Sequence, residues 1–172
     1  MTTLTTPRLI LRPLTPTDLP SVLAYRNDPE VARYQGWALP ATPDSVAGLV
    51  SGAPLGSPGW VQRAVTLPGG EVIGDVALNT DGPQAEVGVT LARHAQGHGY
   101  AREALHALIT HAFTDLGLHR VHASIDPRNV AVAALLTRLG FRHEGTTLQS
   151  YLHRGEWTDD AAYAVLASEW TA

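Results

Sequence analysis

The 172-residue chain contains no cysteine, and all twelve of its basic residues are arginine. Without thiols it can build neither a disulfide framework nor a thiolate metal site, and it has no sulfur nucleophile. Charge is sparse, at 16% of residues, and the formal net charge is −4. Dispersed arginines on a mildly acidic chain do not make the basic surface that a phosphate backbone requires, so no nucleic-acid partner is expected. No apolar run approaches the roughly 20 residues of a membrane-spanning helix, so no membrane partner is expected either. The opening Met1-Thr2-Thr3-Leu4 lacks the basic stretch and apolar block of a secretory leader, which makes the cytoplasm the expected compartment. Hydrophobic content of 44% suits one globular domain over residues 1–172, large enough to bury a core without staples.

The most informative stretch is Gln96-Gly97-His98-Gly99-Tyr100-Ala101. It lies between a strand-like run, Glu86 to Leu91, and a segment in which Leu105, Leu108, Ile109, Ala112, Phe113 and Leu116 recur at the spacing of one helical face. A glycine turn opening a helix aims several unpaired backbone N–H groups at one place, and the helix dipole adds partial positive charge there. Such a turn suits a diphosphate; the plain alternative is a tight strand-to-helix connection. Neither the dinucleotide fingerprint nor the P-loop fits, because Arg102 stands where the third glycine would fall and no Gly-Lys-Ser/Thr follows.

Elsewhere the chain reads as a first strand at Leu9 to Leu14, a helix opening at Thr15-Pro16-Thr17-Asp18 and a short helix at Asp44 to Val50. A hairpin of Val61 to Leu67 and Val72 to Leu78 turns at Pro68-Gly69-Gly70. After the long helix come a strand over Val121 to Ile125 and a helix over Val130 to Leu139 with Asn129 as its cap. Two final strands, within about Arg142 to Trp170, join at Arg154-Gly155-Glu156.

The segment Gln96 to Ala101 fits the Q/R-x-x-G-x-G/A acetyl-CoA motif of the GNAT N-acetyltransferase superfamily. Thr6-Pro7-Arg8-Leu9-Ile10-Leu11-Arg12-Pro13, Asn27-Asp28-Pro29-Glu30-Val31, Trp37, Asn129-Val130-Ala131, Leu139-Gly140-Phe141, Glu144-Gly145 and Glu169-Trp170 resemble its ribosomal-protein alanine N-acetyltransferase branch in order and spacing. The resemblance implies an α/β fold of the α+β type, a mixed and strongly twisted sheet of about seven strands with helices on both faces. It further implies acetyl-CoA as cosubstrate and direct acetyl transfer to a primary amine. That amine is either the N-terminal α-amine of a ribosomal or other protein, or a small molecule. A homodimer is compatible with it.

By the same resemblance, Val89, Thr90 and Leu91 bond the pantetheine arm with their backbone. Gln96, Gly97, His98, Gly99, Tyr100, Ala101 and Arg102 hold the diphosphate, and Asn129 contacts the arm. Tyr34, Gln35 and Trp37 are expected at the acceptor, although Tyr34 and Trp37 also read as covers of the core edge. Amine acetylation needs a base, and Glu86 occupies the matching position; its alternative reading is a solvated strand-edge carboxylate, and Asp75 is a weaker candidate. The acid is where the chain departs from its relatives: Leu136 replaces the usual tyrosine and Val132 the usual serine. Tyr151, Thr137 and Ser124 are the hydroxyls that could substitute, with Tyr151 taken as the candidate acid. Water could serve as well, since a thiol of pKa about 8.5 leaves tolerably as thiolate; the rival reading, supported by Val132 and Leu136, is a non-catalytic acyl-CoA-binding or sensor domain. An α-amine of pKa about 7.8 is roughly one-third neutral at pH 7.5 and a lysine-like amine only about 0.1%, so a weak base favours α-amines. His94 and His98 straddle the glycine turn without a third ligand, and no metal is expected.

Overall fold

A computed structural model describes residues 2–172. Its eight strands run in the order β1 (Leu4–Thr5), β2 (Ile10–Arg12), β3 (Gly59–Thr66), β4 (Val72–Asp81), β5 (Gln84–Leu91), β6 (Arg120–Ile125), β8 (Glu156–Leu166) and β7 (Arg142–His153). The helices are α1 (Leu19–Arg26), α2 (Pro29–Ala32), α3 (Pro43–Ala47), α4 (Tyr100–Thr114) and α5 (Val130–Arg138). The sheet is mixed as expected, with one strand beyond the expected seven: the two-residue β1, too short for an alternating pattern to mark it. The first expected strand shrinks to Ile10–Arg12, and α3 stops at Ala47 rather than Val50. The four-residue α2 was not anticipated, although its sequence carries the start signal: Asp28 caps Glu30 N at 3.0 Å and Pro29 occupies the first turn.

The two faces of the sheet bury different helices. Leu105, Leu108, Ile109 and Ala112 of α4, with Leu136 of α5, pack on Val61, Val76, Leu78, Ala85, Val87 and Val121. Full burial of each Leu or Ile here contributes about 1.5–3 kcal/mol, more than any single surface contact supplies. On the other face Val22, Tyr25, Val31 and Val46 from α1 to α3 pack against Ala64 and Ala92. Arg12 on β2 grips Asp18, just before α1, through two hydrogen bonds of 2.7 and 2.8 Å. Asp18 in turn accepts from Thr15 N at 2.7 Å, so the helix start and the sheet are tied through one carboxylate.

All neighbouring strands are antiparallel except β5 and β6. That parallel pair is registered at only Gln84↔Arg120, Ala85↔Val121 and Glu86↔His122. Beyond Glu86 the two strands part, and the sheet opens there.

Candidate active site

The opening is a cleft lined by Val87, Gly88 and Val89 of β5 and Ala123, Ser124 and Ile125 of β6. Residues from both faces reach it: Leu105 of α4 and Val132 and Leu136 of α5 from one, Tyr34 and Gln35 from the other. The cleft therefore passes through the sheet, as a site that joins two reactants requires.

At the end of β5 the chain turns into α4 through Gly97 (φ +79°) and Gly99 (φ +80°), left-handed conformations that a side chain resists. Gly99 is the α4 N-cap and supplies no side chain to close the helix end. The first bond of the helix runs from Glu103 N to Gly99 O at 3.1 Å, so the N–H groups of Tyr100, Ala101 and Arg102 have no acceptor within the helix. A Cβ on Gly97 would stand in open space. The turn is thus a concave cluster of donors at the positive end of a 15-residue helix, which fits a diphosphate. Gln96 braces it, donating Nε2–H to Leu91 O at 3.1 Å. Arg8 closes its flank: Nε donates to Glu103 at 2.6 Å, NH1 to His98 O at 2.9 Å, and the guanidinium lies 4.7 Å from the Tyr100 ring centre.

Asn129 lines the cleft and caps α5, its Oδ1 accepting from Val132 N at 3.3 Å. Both sequence readings of this residue are compatible with that placement, since the cap leaves the Nδ2 donor free. The apolar substitutions also sit where they matter: Val132 and Leu136 both line the cleft. Of the three candidate acids, Thr137 spends its proton on Ala133 O at 2.9 Å, and Ser124 donates its own to Asp160. Tyr151 is not among the cleft-lining residues; its hydroxyl lies so near Gly36 that a Cβ there would meet it at 2.7 Å. The phenol that does line the cleft is Tyr34.

Glu86 is half-buried on the sheet face opposite α4, because its neighbours Ala85 and Val87 point into the α4 core. Burial first, and the negative charge of Asp160 second, push its carboxyl above the usual range. His122, beside it in the register, is held below its usual value by burial and by Arg120. Asp75 is placed elsewhere, enclosed with Tyr25, which donates to it at 2.5 Å, and with Arg26 at 3.8 Å. Gln35 reaches into the cleft and donates to Val89 O at 3.4 Å. Trp37 faces away toward α1, its Nε1–H bonded to Arg26 O at 3.1 Å and its ring 4.4 Å from the Arg26 guanidinium, matching the reading of a core cover.

Sequence reasoning missed Arg154. From the β7–β8 turn it donates to Ala32 O, Gln35 O and Trp37 O at 2.9, 3.2 and 3.1 Å, and so fixes the loop that carries Tyr34 and Gln35. Nothing in the local pattern marks an arginine at a turn as a clamp on a loop more than a hundred residues earlier. Gly88 was missed as well, because glycine within a strand signals several unrelated things. Among the described residues no group of three or more His, Asp or Glu is placed to hold a metal, and no helix is long and apolar enough to cross a membrane.

Residues 8–142 match the acetyltransferase (GNAT) domain family. The chain belongs to the GNAT acetyltransferase family. It is 31% identical to the uncharacterized N-acetyltransferase p20 of Bacillus licheniformis across 99% of both chains. A GNAT-family acetyltransferase from Bacillus anthracis superposes with a TM-score of 0.87 at 26% identity, over 98% of this chain and 100% of that one. The [ribosomal protein uS5]-alanine N-acetyltransferase of Escherichia coli is a partial match, 34% identical over 49% of this chain and 44% of its own length. A spermidine N-acetyltransferase from Vibrio cholerae, solved with CoA and spermine, shares the fold at TM-score 0.83 and 23% identity, covering 95% of this chain and 98% of its own. This GNAT chain is accordingly an N-acetyltransferase, of a family that uses acetyl-CoA.

Proposed function

We propose that residues 1–172 form a single cytoplasmic N-acetyltransferase domain that transfers an acetyl group from acetyl-CoA directly to a primary amine, without a covalent enzyme intermediate. The observation that carries this is the cleft where β5 and β6 part, lined from both sheet faces, with the Gly97–Gly99 turn following the end of β5. Backbone N–H groups from Gly97 to Arg102 hold the diphosphate, while the freed edge of β5 at Val89 to Leu91 and the Asn129 amide hold the arm. Acetyl-CoA supplies the activated acyl group, whose thiol of pKa about 8.5 leaves as thiolate near neutral pH without an obligatory acid. The Tyr34 phenol is the group in the cleft able to protonate it, in preference to Tyr151. Glu86, its carboxyl pushed above the usual range by burial and by the charge of Asp160, is the candidate base for the incoming amine.

The acceptor comes from the Tyr34–Gln35 side. A protein N-terminal α-amine and a small-molecule amine both suit the site, and partial relatives are named for each kind, a ribosomal-protein alanine and spermidine. Family membership favours the enzyme over a non-catalytic acyl-CoA-binding or sensor domain, whose remaining support is the pair Val132 and Leu136. Thiol release from acetyl-CoA, measured across N-terminal peptides, polyamines, amino acids and aminoglycosides, tests the proposal; a cysteine-free protein adds no background. Release with one amine class names the acceptor. Silence across the panel, with acetyl-CoA bound, would overturn the transferase reading.

A further inference from the structure

Ser124 lines the cleft on β6, and its hydroxyl donates to a carboxylate oxygen of Asp160 on β8. The strands that carry them are paired, with Ser124 opposite Ala162 and Ile125 opposite Ala161, so the contact is set by regular sheet geometry rather than by a loop. A serine hydroxyl has one proton. With that proton committed to Asp160, Ser124 presents only lone pairs to the cleft and can receive a hydrogen bond there but not give one. This disposition is wrong for protonating a thiolate and right for an ammonium or amine N–H.

Its surroundings point the same way. Ser124 shares a sheet face with His122, two residues before it, and through the Glu86↔His122 register with Glu86. That face is the one from which Tyr34 and Gln35 reach the cleft, opposite α4 and its diphosphate cradle. Among the described residues no arginine or histidine pairs with Asp160, whereas Asp18, Asp28, Asp126, Glu103, Glu144 and Glu169 each hold an arginine. The β7 residue opposite Asp160 is Thr147, which does not titrate, and Arg120 is engaged with Glu144. The fold therefore leaves the Asp160 carboxyl group without a cationic partner among the described residues, one hydroxyl away from the acceptor side of the cleft.

We propose that Asp160 is a positioning residue that draws the proton of the acceptor amine through Ser124. The inference rests on the transferase reading above and takes the proton of the amine to Asp160 in place of Glu86. One N–H bond of the acceptor ammonium breaks and its proton goes to Ser124 Oγ, while the Ser124 proton passes to Asp160. The ammonium becomes a neutral amine with a free lone pair, the carboxylate becomes a carboxylic acid, and Ser124 is regenerated. Asp160 then returns the proton to solvent.

The test compares kcat/KM against pH for the wild type, Asp160→Asn, Asp160→Glu, Ser124→Ala, the Ser124→Ala/Asp160→Asn double variant and Glu86→Gln. The amine is the one that the thiol-release panel identifies. Asparagine at 160 still accepts the serine hydrogen bond, so a purely structural role would survive that change. The inference expects kcat to fall about 10²-fold in Asp160→Asn and in Ser124→Ala, the scale of general base catalysis. The double variant should be no slower than either single, Asp160→Glu should recover most of the rate, and acetyl-CoA affinity by calorimetry should stay unchanged throughout. The acidic limb of the profile should disappear in Asp160→Asn. Wild-type kcat and pH profile in Asp160→Asn, with the limb lost only in Glu86→Gln, would overturn the inference and leave the transferase reading intact. Losses that multiply in the double variant would overturn it too. A wild-type protein that acetylates no amine would overturn the transferase reading, and this inference with it.

Discussion

Arg8 and Glu103, 95 residues apart in sequence, meet beside the diphosphate cradle through a 2.6 Å ion pair. Glu103 stands in the first turn of α4, where a carboxylate suits the helix dipole but repels a diphosphate at the same helix end. Burial works against its ionisation, and hydrogen bonds from Thr6 and Arg8 outweigh that, leaving the carboxyl below its usual range. The anion is thus held charged but compensated. Arg8 is half-exposed, so the pair itself stabilises the fold by only about 0.2–1 kcal/mol. Its larger effect is on the ligand. Arg8→Ala should weaken acetyl-CoA binding with little change in thermal stability, and adding Glu103→Ala should restore part of the affinity. Calorimetric titration of both variants checks this; equal affinity in wild type and Arg8→Ala would remove Arg8 from the cradle.

Gly99 combines a φ of +80° with a place at the convergence of the α4 N–H groups. Gly99→Asp puts a Cβ into the left-handed region, costing about 1–3 kcal/mol. It also sets a like charge beside the diphosphate. Acetyl-CoA affinity should fall by about tenfold or more, which is about 1.4 kcal/mol or more. Retained affinity in a folded Gly99→Asp protein would move the diphosphate elsewhere.

The glycine turn was legible in the sequence because its parts are contiguous: a strand, two glycines and a periodic helix within thirty residues. The fold was legible for the same reason, element by element, and failed where elements are too short to show a period, as in Leu4–Thr5 and Pro29–Ala32, and at the ends of the first expected strand and of α3. The cleft was less legible. Ser124 and Gly88 line it, with Asp160 behind Ser124 and Arg154 behind the Tyr34 loop, on strands and turns that only the sheet order brings together, and no local pattern encodes the β6–β8 pairing. Val132 and Leu136 are apolar and line the cleft, and choosing among the remaining hydroxyls needed their hydrogen bonds: Thr137 and Ser124 are distinguished from Tyr34 by where their protons already go.

Asp18 gives a pH dependence with a definite sign. Its hydrogen bonds to Arg12 hold its carboxyl down to about 2, with Thr15 adding to the effect against the cost of burial. A depressed carboxyl stabilises the fold at pH values above its ordinary range, and the contribution is lost as pH falls through about 2. Hydrogen bonds to a charged partner contribute about 1.5–3 kcal/mol. Arg12→Leu should lose roughly that at neutral pH, and its stability should decline less steeply between pH 4 and 2. Urea unfolding across that range measures both effects. Parallel wild-type and variant curves would show that the pair is not the source.

Arg154 offers a way to disturb the acceptor side alone. Its three bonds to the carbonyls of Ala32, Gln35 and Trp37 hold the loop of Tyr34 in place, on the sheet face opposite α4. Arg154→Ala should raise KM for the amine about tenfold and leave acetyl-CoA affinity as it was. A rise in both constants would mean that the loop also shapes the cosubstrate site.

Gly88 tests which side of the cleft the amine uses. It lies on β5 without positive φ, and a Cβ there would meet Trp60 at 3.7 Å and Ala77 at 4.0 Å, both ordinary contacts. Neither backbone strain nor packing therefore demands glycine, and what a side chain would occupy is the open face beside Glu86. Gly88→Val suits a strand by propensity, so the fold should survive with thermal stability near that of the wild type. The two valine methyls would stand where an amine approaches the thioester, while the backbone around Val89 to Leu91 keeps its groups for the pantetheine arm. The expected result is unchanged acetyl-CoA affinity with kcat/KM for the amine reduced by about 10²-fold, the scale on which misplacing a reacting group by an ångström acts. Wild-type turnover in a folded Gly88→Val enzyme would place the acceptor on another approach, and with it the role of Glu86.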